Sequence, residues 1–479
     1  MTFVILKKPV SEIKIQMWTN HLKWIHYYSE ESSMKKLMVL LLAVMLLVSA
    51  SAVFAQSKAD EVDLKELDAS LTEDITILIW SKDSVGEKDT SRGKWFNQMA
   101  EDLSAQFEHV NYEYIYQGGY SETNAKVMAA AVANELPRIW LTEESTVKGF
   151  AAIAADLNVW MPSATIDDYM DGLLSDSLYD GDRLIGAPAA RSLPVLVVNN
   201  DILAEAGWSG DMIKTNDDMF QCAKDVYEKT GKPGFGAFWD TDLWHWESAV
   251  YADGGQILTD DGSKPAFGKD YDYVGAKYLL RIQEGLIEGY VDQYYDEADA
   301  ADAATLALVQ GDVAMELRSC NSMPSRFQGA AENGYTLSTW VQPAGEGGIH
   351  VTGGGSNWMM TEDKPDTEKL FAGAYLAYLA RQENVMTITE KTGSMMITES
   401  ALNSDAGKQL IADFPGFQAT YDTIPYLHAR PNTPYWAEMY TYGIDKVEQF
   451  TLQPDKTDVY ALIDDLEVKF QQIIDDNAW

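Results

Sequence analysis

Between Ile75 and Thr142 the chain alternates short apolar runs with amphipathic stretches, and this alternation narrows the possible folds most. Ile75 to Trp80 reads as a buried strand. Trp95, Phe96, Met99, Leu103 and Phe107 recur at spacings of three and four, which predicts one apolar helix face. Tyr112 to Tyr116 reads as a second strand. Ser121 is expected to cap the next helix, with Glu122 favourable in its first turn, and that Ala-rich helix should stop before Pro137. Arg138 to Thr142 reads as a third strand. Strand–helix–strand–helix–strand order implies an α/β chain with a parallel sheet and right-handed crossovers. Ligands of such sheets sit beyond the carboxyl ends of the strands. By that rule Trp80, Tyr120 and Glu144 become candidate binding residues.

The pattern resumes after Pro188, with strands expected at Leu193–Val198, Val313–Leu317 and Trp358–Met360. Helices are expected at Ile202–Ala206, Met219–Lys229 and Val274–Glu284, and helices dominate from Thr367 onward. A chain of 479 residues exceeds one ordinary domain, so two lobes are expected. The formal charge of −38 repels phosphate backbones and anionic lipid, which argues against nucleic-acid and membrane-surface partners. The aromatic supply, 14 Trp and 25 Tyr, suits a ligand that needs stacking faces. Cys222 and Cys320 are too few for a disulfide framework or a four-thiolate zinc site, and both read as free thiols. His245 and His428 lack metal-ligand spacing, so no metal or cofactor is expected.

Met34-Lys35-Lys36, the apolar run Leu37–Val48 and the small-residue end Val53-Phe54-Ala55 make an export signal over 34–55. Residues 1–33 read as a start-site extension, and 56–72 as a polar linker. No Cys follows the apolar run to carry a lipid anchor, which points to the periplasm.

Several short segments, taken in order, resemble family 1 extracellular solute-binding proteins of ABC transporters. They are Tyr116-Gln-Gly-Gly-Tyr120, Leu136-Pro-Arg-Ile139, Gly186-Ala-Pro-Ala-Ala-Arg-Ser192 and Val198-Asn-Asn-Asp201. Gly311-Asp-Val-Ala-Met315, Gly353-Gly-Gly-Ser356, Lys391-Thr-Gly393 and Arg430-Pro-Asn-Thr-Pro434 complete the set. The resemblance implies a two-lobe periplasmic-binding-protein fold. Each lobe would be a mostly parallel sheet flanked by helices, and crossover hinge strands would join them. We place lobe one at 73–186 plus 313–362 and lobe two at 187–312 plus 363–479, with crossings near Pro188, Gly311 and Glu362. The implied partners are ABC permease subunits, and the implied state is a monomer without enzymatic activity.

The spacing most resembles the glycerol-3-phosphate-binding branch. That branch implies binding residues at Tyr120, Glu144, Ser192, Ser319, the Gly353–Gly354 backbone and Arg430, with aromatics among Trp239, Trp244 and Trp246. After Lys391-Thr-Gly393 the branch carries a Tyr where this chain has Ser394, which turns the expectation toward a carbohydrate. Glycerol-3-phosphate or a diester of it remains the alternative. Two residues carry competing readings. Arg430 is either an anion clamp, through its planar fork, or an inter-lobe ion pair. Glu144 is either a hydroxyl acceptor or a solvated loop carboxylate. A secreted glycosidase is the rival from another class, because acidic residues are abundant, although none stands in a recognisable motif. A receptor that hands its ligand to a sensor is a third reading.

Overall fold

The apolar runs do become strands, and their pairing builds two separate sheets. The computed structural model describes residues 57–477 apart from 87–90, 239–242, 295–299, Asn432 and Pro434. The expected extension at 1–33 and signal at 34–55 therefore lie outside the described residues.

In chain order the principal strands are β1 (Ile75–Ser81), β2 (Val110–Tyr116), β3 (Ile139–Glu143), β4 (Ala187–Ser192) and β5 (Pro194–Asn199). They continue with β6 (Phe235–Phe238), β7 (Val291–Tyr294), β8 (Met315–Ser319), β9 (Leu337–Trp340) and β10 (Gly354–Met360). The first sheet has the order β2-β1-β3-β10-β4, and the second β9-β5-β8-β6-β7. β10 runs antiparallel to both its neighbours, as does β5 in the other sheet. Each sheet is thus parallel except for one reversed strand next to an edge.

Helix α1 (Arg92–Ser104) follows β1 and lays Phe96, Met99 and Leu103 on the first sheet. Helix α2 (Tyr120–Ala133) follows β2. Its N-cap is Gly119 rather than Ser121, with the Glu122 carboxylate accepting from the Gly119 amide at 2.8 Å. Ser121 lies inside the first turn. Asn134 ends the helix at φ 59°, in the left-handed conformation that closes many helices. The second sheet carries α3 (Asn216–Thr230), α4 (Trp244–Ala252) and α5 (Ala276–Glu288). Cys222 on α3 and Cys320 after β8 are separate buried thiols.

The sheet pairings divide the chain differently from the expected boundaries. β8 pairs with β5 and β6, and β9 with β5, so residues 315–340 belong to the second sheet. Helices α6 (Asp366–Leu379) and α7 (Gln382–Thr392) belong to the first. There the Trp358 ring meets Phe96 edge-on at 5.1 Å and Tyr375 at 6.0 Å. Phe371 and Tyr375 are both fully buried, and each stabilises this docking by about 1.5–3 kcal/mol. The long helices α8 (Trp436–Leu452) and α9 (Val459–Asn477) return to the second core. The chain therefore crosses at Leu193, between Trp340 and Gly354, and again ahead of Trp436, not near Gly311 or Glu362. Short apolar runs reveal that strands exist; which sheet a strand joins depends on long-range pairing that the runs do not encode.

Residues 57–72 are not a linker. Two short helices, Lys58–Glu61 and Leu64–Ala69, pack Val62, Leu64, Leu67 and Leu71 against the first core. Buried Ser57 anchors them by donating to the Met161 carbonyl at 2.6 Å. Acidic residues on the outer face hide that apolar stripe from a compositional reading.

Candidate functional site

The carboxyl ends of β1, β2, β3 and β8 converge on one cleft between the two sheets. Its main cavity holds about 520 Å³ and takes walls from both halves of the chain. Tyr120, Ser192 and Gly354 belong to the half built on the first sheet, Trp244 and Ser319 to the half built on the second. A second cavity of about 430 Å³ continues from it, sharing Lys82, Arg92, Ser319 and Asn321. Both volumes fit the roughly 300–1,000 Å³ range of small-molecule sites.

Five of the expected residues thus meet in one place. Trp244 begins α4 and donates its indole N–H to the Thr352 carbonyl at 2.7 Å. The ring lies so close to Gly354 that a Cβ there would sit 2.7 Å from it. Glycine at 354 is therefore required by the aromatic wall. Its neighbour Gly355 has φ +99° at an irregularity in the β10–β4 pairing, a conformation that L side chains rarely adopt. Tyr120 opens α2, and its hydroxyl bonds to Ser356 on β10. Burial pushes that phenol well above its usual pKa, so it stays protonated.

The other expected residues lie elsewhere. Trp80 packs with Trp140 and Phe150 on the opposite side of the first sheet. Trp246 is fully buried in the second core, donating to the Gly275 carbonyl at 2.8 Å and meeting Phe267 edge-on. Trp239 lies outside the described residues. Arg430 is 4% exposed and turned inward. Its Nε donates to Glu247 at 3.0 Å, its NH2 group grips the other Glu247 oxygen, and its NH1 group lies 3.7 Å from Glu144. Asp176 accepts from the Arg430 amide at 3.3 Å and from Arg191 at 2.9 Å. Glu247 stands on α4 and Glu144 follows β3, so Arg430 is an ion pair between the halves. Glu144 is buried rather than solvated, and neither of its oxygens has a hydrogen-bond partner. Burial, reinforced by the charge of Asp176, pushes its pKa well above the carboxylate range despite Arg430 and Arg191.

Sequence reasoning missed several residues of the cleft. Glu143, not Glu144, lines the cavity, and the Tyr440 hydroxyl reaches it from α8 at 3.4 Å, joining the halves. Lys82, two residues after Trp80, faces the cavity with its Nζ 4.4 Å from the Tyr120 ring centre. Lys82 lies just beyond the end of β1, and Glu144 begins the turn after β3, so an error of one position at that end exchanges a cleft residue for a buried one. Arg92 closes this corner, with its NH2 group 2.9 Å from Asp83 Oδ1. Asn321 follows the end of β8, whereas Tyr440, on a helix, reaches the cleft only through the docking of the second half.

Among the described residues no group of three or more His, Cys, Asp and Glu is placed to hold a metal ion. None of the described helices is long and apolar enough to cross a membrane. A further cavity of about 660 Å³, between Asp253 and Lys277, is walled by the second half alone. The cleft, by contrast, joins both halves at strand carboxyl ends.

The profile of the family described as bacterial extracellular solute-binding protein matches residues 98–415. The chain belongs to that family. Among curated relatives, the sn-glycerol-3-phosphate-binding periplasmic protein UgpB of Escherichia coli K12 is 23% identical over 326 residues, spanning 64% of this chain and 72% of its own. Solved structures share the fold, two α/β lobes of the periplasmic-binding type. The cyclic α-maltosyl-1,6-maltose binding protein of Arthrobacter globiformis superposes with TM-score 0.70 at 20% identity, covering 84% of this chain and all of its own. UgpB of Mycobacterium tuberculosis, solved with glycerophosphocholine, gives TM-score 0.70 at 17% identity over 85% of this chain and 100% of its own. The GacH receptor of Streptomyces glaucescens, solved unliganded and with acarbose, gives 0.69 at 18% over 84% and 98%.

Proposed function

We propose that this chain captures a carbohydrate in the cleft between its halves and delivers it, unaltered, to the permease subunits of an ABC importer in the periplasm. The observation that carries the reading is the wall formed by Trp244 across Gly354, with Tyr120 and Tyr440 beside it. A sugar ring offers CH faces to such aromatics and hydroxyls to neighbouring polar groups. Glu143, Asn124, Asn321, Ser192 and Ser319 line the same cavity and supply those polar partners. The relatives' sugar and glycerophosphodiester ligands favour this size of solute.

Glycerol-3-phosphate is the second reading, favoured by the curated relative. Arg430 no longer supports it, because its guanidinium is engaged by Glu247 away from the cavity. The carboxylates that line the cleft, Asp83, Glu122 and Glu143, are bound to Arg92, the Gly119 amide and Tyr440, which favours binding without turnover.

A thermal-shift and calorimetric screen of mono- and oligosaccharides, glycerol-3-phosphate and glycerophosphocholine tests the reading. One sugar should stabilise the protein by about 2.7 kcal/mol at a hundredfold excess over Kd. Trp244→Ala should weaken that binding by at least about tenfold, or 1.4 kcal/mol. Stabilisation by glycerol-3-phosphate alone refutes the carbohydrate assignment. Release of product from a glycoside, lost on Glu143→Gln, refutes binding without turnover.

A further inference from the structure

The cleft is chemically two-ended. The larger section holds the aromatic wall of Tyr120, Trp244 and Tyr440. The smaller section has no aromatic lining among the described residues and is walled by Lys82, Arg92, Asp83 and hydroxyl- or amide-bearing side chains. Its charges do not balance. Arg92 donates to both Asp83 oxygens, and Lys82 Nζ lies 3.2 Å from the same Oδ1. Two cations therefore share one carboxylate. Glu122 and Glu143 line the adjoining aromatic section, where Tyr440 bonds to Glu143 and the Glu143 charge also acts on Lys82. On a chain of net charge −38, a cationic corner inside the cleft is not a by-product of composition.

We infer that the solute is an acidic carbohydrate, whose ring lies against Trp244 and whose carboxylate or phosphate is received by Lys82 and Arg92. This rests on the carbohydrate reading above and adds the charge of the ligand to it. Lys82 and Arg92 are both mostly buried, with side chains 17% and 21% exposed, so an anion placed between them is only weakly screened. Burial, then the nearby Arg92 charge, lowers the Lys82 pKa, and a bound anion relieves that strain on the ammonium group. Asp83 is held ionised against burial by Arg92 and Lys82.

The test compares matched probes on the whole exported chain: glucose, glucuronate and glucose-6-phosphate; cellobiose and its glucuronyl-glucose counterpart; and glycerol-3-phosphate. In at least one matched set an acidic member should bind about tenfold more tightly than the neutral one, as a charge-assisted contact implies. Glucuronate against glucose-6-phosphate separates carboxylate from phosphate. The acid-over-neutral ratio should fall toward one in Lys82→Gln and rise in Asp83→Asn, which removes the competing carboxylate. In the unaltered protein the same ratio should shrink between about 0.05 and about 0.5 M NaCl. A neutral sugar that binds tightly, with no gain from either acid, overturns the inference and leaves the carbohydrate reading standing. Binding of glycerol-3-phosphate with no sugar, or of no probe at all, overturns both.

Discussion

Arg430→Ala separates the two roles an arginine can play in such a cleft. The side chain is 4% exposed and Glu247 is fully buried, so truncation leaves an ionised carboxylate in the interior without the two hydrogen bonds it accepts from the guanidinium. Removing one member of a buried pair costs about 3–5 kcal/mol, mostly from the stranded charge. With a urea slope of about 3 kcal/mol/M, the first unfolding midpoint should fall by about 1–1.7 M. Removing both charges, in Arg430→Met with Glu247→Gln, should recover most of that loss, because replacing a buried pair by neutral groups is often close to neutral. Urea titrations followed by far-UV circular dichroism at pH 7.5 measure both effects. The reasoning fails if Arg430→Ala unfolds at the unaltered midpoint yet no longer binds its solute. Arg430 would then be a ligand clamp, and the ion pair would be incidental.

Glu144→Gln should remove a pH-dependent loss of stability. The folded state holds a proton on Glu144 that the unfolded chain has released, so this carboxyl lowers stability as pH rises from about 4.5 toward its raised folded pKa, by up to about 1.4 kcal/mol per unit. The variant should therefore melt higher than the unaltered protein at pH 7.5 and match it near pH 4; a lower melting temperature at pH 7.5 contradicts the assignment. Gly354→Ala brings a Cβ to 2.7 Å from the Trp244 ring, an overpacking worth about 1–3 kcal/mol, and should change tryptophan fluorescence as well as weaken solute binding. A chain beginning at Glu73 loses the packing of Val62, Leu64, Leu67 and Leu71, at roughly 1 kcal/mol each, and should melt measurably lower. An unchanged melting curve would return 57–72 to the status of a linker. Burial pushes the thiols of Cys222 and Cys320 up to about 12 and about 11, so both should resist a disulfide reagent until urea unfolds the chain.

The sequence by itself determined the local elements and the kind of fold they serve. Short apolar runs and a period-3.6 pattern placed β1, α1, β2 and β3 within a few residues, because burial leaves its mark on adjacent positions. The strand-end rule led to the strand ends that line the cavity between the sheets, and ordered short segments pointed to the solute-binding family. Tertiary structure decided what those patterns cannot carry. Which sheet β8 joins, and that α6 docks on β10, are choices between partners far apart in sequence. Whether Glu143 or Glu144 faces the cleft turns on one position at the end of β3. Arg430 became an ion pair rather than a clamp because Glu247, 183 residues away, is folded against it. Arg92 meets Asp83 and Lys82 only in the folded protein, because electrostatic balance is a property of neighbours in space and not of neighbours in the chain.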